Sequence, residues 1–154
     1  AREARLPYQV LSEDEVATLE CLADAIVPGA REAGIAQFID KQLAAPAEDS
    51  LLMLKYLGVP NADFAGFYQA SLASAAGLAT AEFGKSWPEL DSKQASQLLQ
   101  EIAGNEELAW QGPPASFFFF VVRSDACDVV YGTPTGFAQI DMPYMAHIEP
   151  TESW

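Results

Sequence analysis

The most constraining feature of this sequence is a series of apolar stripes at helical spacing, each bounded by a cap residue or by a Pro or Gly break. The first stripe begins after Ser12, which forms a capping box with Glu15, and it ends at Pro28-Gly29. The same spacing predicts four further helices: 34–45, 51–57, 61–83 and a fifth helix that Asp91 caps and Gly104 ends.

The stretch 113–130 admits two interpretations. Residues 117–122 are rich in aromatic and β-branched side chains, which favours a strand. The apolar residues of the whole stretch are nevertheless spaced for a helix, and the Pro pair at 113–114 suits a helix start. We predict a helix, because the sequence offers no second convincing strand with which this segment would pair.

These patterns predict an all-α fold of about six helices. Small residues let neighbouring helices approach closely, so we place the Gly- and Ala-rich helix 61–83 at the centre. We divide the chain into a helical domain, 1–130, and a C-terminal arm, 131–154. The arm contains three Pro and several aromatic residues but no Lys or Arg. We predict that it is extended and irregular, and that it packs on the domain or on a partner subunit.

Charge excludes several classes of partner. The 154 residues include 22 Asp or Glu and 8 Lys or Arg, for a formal net charge of −14. This balance argues against nucleic-acid binding, which needs clustered Lys and Arg, and against anionic membrane surfaces. The longest strongly apolar run, 117–122, is much shorter than the roughly twenty residues of a bilayer span, so we predict no membrane span.

Few residues are suited to catalysis or to cofactor binding. The single His and the two Cys provide neither a haem-attachment motif nor a metal cluster, and no dinucleotide-binding Gly motif follows a strand. We therefore predict no catalytic, cofactor-binding or metal-binding residues in this chain. Cys21 and Cys127 leave three possibilities open: a disulfide with each other, a disulfide to a partner chain, or two buried thiols.

Glu20 and Asp24 lie one helical turn apart and also have two interpretations. A close carboxylate pair can perform general acid and base chemistry, as in glycoside hydrolysis. The pair then supports an alternative function, a freestanding periplasmic ligand-binding protein or an acidic hydrolase. The other interpretation is a solvated acidic face, which the even distribution of acidic residues along the chain favours.

Apolar residues are in excess from residue 117 onward, and this excess predicts a protein–protein interface. The alternative is that the arm covers the sixth helix within the monomer. The predicted contact set consists of aromatic residues: Phe117, Phe118, Tyr131, Phe137, Tyr144 and Trp154.

Several motifs, in order along most of the chain, resemble the gluconate 2-dehydrogenase subunit 3 family. They are Leu11-Ser-x-x-Glu15, Leu22-Ala-Asp-Ala-Ile-Val-Pro28-Gly, Glu32-Ala-Gly-Ile-x-x-Phe38-Ile-Asp40-x-x-Leu43, Phe83-Gly84-Lys-Ser-Trp87-x-x-Leu90 with Gln94 and Leu98-Leu99, and Val122-Arg123 through Tyr131-Gly132, Gly136-Phe137, Pro143-Tyr144 and Trp154. The C-terminal portion looks most like the small subunit of glucoside 3-dehydrogenase.

The resemblance implies a small, non-catalytic subunit of a periplasmic dehydrogenase. Its partner would be a large FAD-binding subunit of the glucose–methanol–choline type that oxidises a sugar or a sugar acid, and a cytochrome c would take the electrons. Such subunits carry a twin-arginine export signal and help the partner to fold or to leave the cytoplasm. We expect that signal to have been cleaved or not included here. The motif residues are structural, so the resemblance transfers no catalytic role to them.

Overall fold

The computed structural model describes residues 7–104 and 108–142 of the chain. Within these ranges the regular structure is helical, without strands, which confirms the predicted all-α class. The α-helices are α1 (Glu13–Ile26), α2 (Ala30–Ala33), α3 (Ile35–Ala44), α4 (Met53–Tyr56), α5 (Phe64–Phe83), α6 (Ser92–Gly104), α7 (Ala115–Tyr131) and α8 (Pro134–Gln139). Two 3₁₀ turns, Asn61–Asp63 and Trp87–Glu89, precede α5 and α6.

Local capping explains where α1 and α6 begin. The Ser12 N–H donates to Glu15 Oε2 at 2.7 Å, and the Glu15 N–H donates to Ser12 Oγ at 3.3 Å, so the predicted capping box is confirmed. At α6 the Gln94 N–H donates to Asp91 Oδ1 at 2.8 Å, and the Asp91 N–H donates to Gln94 Oε1 at 3.1 Å. Both boundaries therefore follow from residues that are close in sequence.

Helix α7 occupies the centre of the described structure. The predicted helix within 113–130 is confirmed, and α7 contacts every other α-helix of the described ranges. Helix α5, which we placed at the centre, instead packs on α1, α6 and α7 and leaves Gly66, Ala73 and Gly77 exposed. A Cβ atom on Gly66 or Gly77 would meet nothing within 4 Å, so these glycines do not mark close helix packing.

Helix α8 corrects the predicted conformation of the C-terminal arm. Residues 134–139 are helical because Thr133 Oγ1 accepts the Gly136 N–H at 3.0 Å and Pro134 begins the first turn. A Cβ atom on Gly136 would clash with the backbone of Val130 and Tyr131, so glycine lets α8 pack tightly on the end of α7. The rest of the arm, from residue 143, lies outside the described residues.

Asp40 fastens the segment before α1 to helix α3. Its side chain is buried and accepts the N–H groups of Gln9, Val10 and Leu11, each at 2.9 Å. A buried carboxylate that accepts three backbone N–H groups provides these donors with hydrogen bonds that they would otherwise lack within the protein. One side chain on α3 thus holds the segment 9–11, which lies about thirty residues earlier in the sequence.

Candidate interaction surfaces

Phe118 belongs to the core of this chain and not to an exposed surface. It is 0% exposed, and its ring centroid lies 5.8 Å from that of Trp110, 6.1 Å from that of Phe67 and 6.3 Å from that of Tyr68. The helical register of α7 turns it inward together with the buried Val121 and Val122. Its prediction as a partner contact is therefore wrong.

The other predicted contacts occupy partly buried or undescribed positions. Phe117 packs its ring edge-on against Phe67, with centroids 5.5 Å apart, and Tyr131 is half-buried against the core. Phe137 is half-buried on α8. A partner role for these three stays a prediction. Tyr144 and Trp154 lie outside the described residues.

Phe120 is the exposed aromatic residue of the run 117–120. Its side chain is 38% exposed, and the guanidinium of Arg123 lies 5.7 Å from its ring centroid. Arg123 also lies 5.9 Å from the centroid of Phe119, which is half-buried. The positive charge thus covers two ring faces in a cation–π arrangement. The four consecutive aromatic residues divide between core and surface as a helix requires.

Large apolar residues are also exposed around α4, and the sequence patterns did not single them out as a surface. Leu51 is 53% exposed, Tyr56 68% and Leu57 43%, and we call these three residues the α4 surface. The intervening Leu52 and Leu54 are fully buried. Because side chains point outward all around a helical turn, the short helix α4 and its flanking residues cannot bury every apolar side chain. The density of Leu and Tyr in 51–57 was the available signal for this surface.

Backbone hydrogen bonds to distant side chains hold the α4 surface in place. The Leu51 N–H donates to Gln42 Oε1 at 2.7 Å, and the Met53 N–H donates to Asp125 Oδ1 at 2.8 Å. Met53 is the first residue of α4, whose first N–H groups have no partner within the helix, and Leu51 lies two residues before it. A helix of one turn is marginal by itself, so these side chains stabilise its conformation.

Asp125 joins three helices at one buried carboxylate. The residue is fully buried on α7; it accepts the Met53 N–H and also the Tyr68 hydroxyl proton, with 2.6 Å between the oxygens. Burial raises the pKa of Asp125 to about 6, although the hydrogen bonds from Tyr68 and Met53 oppose that rise, and the charge of Asp128 adds to it. Burial, together with the Asp125 charge, raises the pKa of Tyr68 well above its usual value.

Glu20 and Asp24 hold the turn between α1 and α2. Asp24 Oδ1 accepts the N–H groups of Gly29 and Arg31, each at 3.1 Å. Glu20 Oε2 lies 3.7 Å from Arg31 Nε. Gly29 adopts a φ of 94° in this turn, a left-handed conformation that glycine tolerates best. Both carboxylates thus have structural partners, which favours the structural interpretation of the pair.

Cys21 and Cys127 are free thiols, so the possible disulfide between them is not formed. Both side chains are half-buried. The guanidinium of Arg31 donates to Cys21 Sγ at 2.6 Å. Burial raises the pKa of the Cys21 thiol, while the charge and hydrogen bond of Arg31 act in the opposite direction.

Two open grooves lie on the described surface. One, of about 510 Å³, runs between α5 and the loop before α7, and small residues such as Ala73, Gly77 and Gly112 line it. The other, of similar volume, lies between the α1–α2 turn and α8, with Glu32 as its charged lining residue.

Among residues 7–104 and 108–142, no cluster of three or more His, Cys, Asp or Glu is arranged to hold a metal ion. No described helix has both the length and the hydropathy of a bilayer span.

The chain combines a helical fold and high negative charge with large apolar residues exposed around α4, and apolar residues grouped at a surface favour contact with another protein. Residues 13–147 match the family described as gluconate 2-dehydrogenase subunit 3, and the chain belongs to this family. Neither the curated proteins nor the solved structures include a significant match to it.

Membership confirms the resemblance carried by the sequence motifs. The family is one of dehydrogenase subunits, which is consistent with an accessory role for this chain in an oxidoreductase complex.

Proposed function

We propose that this chain is a non-catalytic small subunit that binds and stabilises a large FAD-dependent sugar or glycoside dehydrogenase of the glucose–methanol–choline type. The observation that carries the proposal is the family match, which spans residues 13–147. In this proposal the FAD belongs to the large subunit, and a cytochrome c accepts the electrons downstream. The complex works in the periplasm, and the small subunit assists export of its partner.

The distribution of apolar side chains supports a binding role. Large apolar residues remain exposed at the α4 surface, on α7 at Phe120, and after α8 at Ile140 and Met142. Water contact with such side chains is unfavourable by about 25 cal/mol per Å², so a partner that covers even one of these places gains free energy. The high negative charge elsewhere keeps unpaired copies apart.

The alternative, an acidic hydrolase that uses Glu20 and Asp24, receives less support. Asp24 is occupied by two backbone N–H groups, and Glu20 lies beside Arg31. A hydrolytic pair needs a substrate cleft with one carboxyl group held protonated. The isolated chain is therefore expected to hydrolyse glycosides no faster than buffer alone, and Glu20→Gln is expected to show the same rate as the wild type.

Co-expression tests the proposal. A candidate flavoprotein subunit, sought in the reading frames beside that of this chain, is produced with and without it, and the folded, FAD-loaded flavoprotein is quantified in cytoplasmic and periplasmic fractions. The proposal predicts that omission of the small subunit lowers the folded yield and the periplasmic share several-fold. Equal yield and equal export without this chain would refute the chaperone and export roles.

A further inference from the structure

The α4 surface differs from an ordinary scatter of exposed apolar residues. Single exposed leucines are common on protein surfaces and need no explanation. Here Leu51, Tyr56 and Leu57 lie within seven consecutive residues, and Tyr56, at 68%, is the most exposed large apolar residue of the described ranges. Tyrosine, with a large ring and a polar end, is enriched among residues that dominate binding energy at interfaces.

The conformation of this surface is fixed from inside the molecule. Leu52 and Leu54 anchor it in the core, and the Met53 N–H is held by the buried carboxylate of Asp125. A carboxylate in such a place costs stability when ionised, because burial removes it from water. Groups perturbed in this way concentrate at functional positions. A surface already held in one conformation also loses less entropy when a partner binds.

Charge around the α4 surface indicates what covers it. The chain carries a net charge of −14, yet the interval between Asp49 and Asp63 contains no acidic residue and one charged residue, Lys55, whose Nζ donates to the backbone carbonyl of Glu48 at 2.7 Å. Contact between two copies would bring two strongly negative molecules together, which electrostatic repulsion opposes. The surface is complementary to an apolar patch with an acidic rim near Lys55, on a partner without this excess of negative charge.

We propose that Leu51, Tyr56 and Leu57 dock this chain on the large dehydrogenase subunit, with Tyr56 as the central anchor. This inference rests on the proposed function, and it assigns the contact to α4 where the sequence had placed it on α7 and the C-terminal arm. The dehydrogenase subunit contributes an apolar pocket for the Tyr56 ring, a hydrogen-bond acceptor for its hydroxyl and a carboxylate within reach of Lys55.

The test compares Tyr56→Ser combined with Leu57→Ser against a matched control, Phe120→Ser, which removes an exposed aromatic residue from another helix. Each variant is co-expressed with the tagged flavoprotein subunit, and the purified complex is challenged with an excess of labelled wild-type small subunit. The exchange rate reports dissociation, which is the rate that interface substitutions change most. Circular dichroism melting of each isolated variant establishes that it folds.

The proposal predicts that the α4 double variant dissociates at least ~30-fold faster than the wild type, as expected for loss of a dominant contact. The control is expected to stay within about twofold. If the wild-type complex forms but the double variant and the control exchange at equal rates, the inference is overturned and the proposed function stands. Absence of a wild-type complex would overturn both. A wild-type dimer that the double variant abolishes would identify a second copy as the occupant and refute the inference.

Discussion

Replacement of Asp125 by Asn separates the charge of the buried carboxylate from its shape. The amide oxygen still accepts the Met53 N–H, and the amide nitrogen donates to the Tyr68 hydroxyl oxygen, but the side chain no longer ionises. Burial raises the pKa of Asp125 from 3.8 to about 6 in the folded chain. The difference of roughly two units corresponds to about 3 kcal/mol of unfolding free energy.

The sign follows from proton binding. Between pH 4 and 6 the folded state holds a proton on Asp125 that the unfolded state has released, so this group stabilises the fold at low pH. Its contribution is fully present below about pH 3.8 and is lost as the pH rises through about 6. The free energy of unfolding of Asp125→Asn, relative to wild type, should therefore rise by about 2.5 kcal/mol from pH 4 to pH 7.

Urea unfolding of the wild type and of Asp125→Asn, at half-unit intervals from pH 4 to pH 7.5, measures this difference. Self-repulsion among the other acidic groups affects both proteins alike and cancels in the comparison. Asp49→Asn, at an exposed position, is the matched control and should track the wild type within about 0.5 kcal/mol. A constant difference between Asp125→Asn and wild type across this range would refute the assignment of Asp125 to a desolvated site.

Three further experiments test the packing. Asp40→Ala should lower the free energy of unfolding by about 3 kcal/mol or more, because three backbone N–H groups lose their acceptor; a loss below 1 kcal/mol in urea unfolding would contradict this. Phe118→Ala should cost about 3–5 kcal/mol and Phe120→Ala much less, and equal costs in thermal melts would exclude the observed helical register. Gly136→Ala should displace α8 and expose it to limited proteolysis, because its Cβ would clash with the end of α7. Gly77→Ala, in open space within α5, should stabilise the chain by about 1 kcal/mol. A Gly136→Ala variant that resists proteolysis as well as Gly77→Ala does would disprove the packing of α8.

The sequence predicts the helices best where their signals are local. Ser12 with Glu15 and Asp91 with Gln94 mark the starts of α1 and α6, and their partners are only three residues away. Helix α7 was predicted because no partner strand was found, although residues 117–122 favour a strand by composition. Local capping by Thr133 also encodes α8, but the aromatic and Pro-rich composition of the arm obscured it.

The interaction surfaces were harder to predict because they depend on distant contacts. The hydrogen bonds that Asp125 accepts from Met53 and Tyr68 join residues 72 and 57 positions apart, and no local spacing encodes them. Phe118 and Phe120 belong to one aromatic run, and their separation into core and surface depends on which neighbours surround α7. Composition locates an excess of apolar residues along the chain, but tertiary packing decides which of them remain exposed.

Native mass spectrometry of the flavoprotein dehydrogenase, purified after co-expression with this chain, tests the central claim most directly. Our account predicts a complex that contains this chain in a fixed stoichiometric ratio, carries FAD and persists through size-exclusion chromatography. A fully folded, FAD-loaded dehydrogenase that never retains this chain, together with a chain that stays monomeric beside it, would contradict the account.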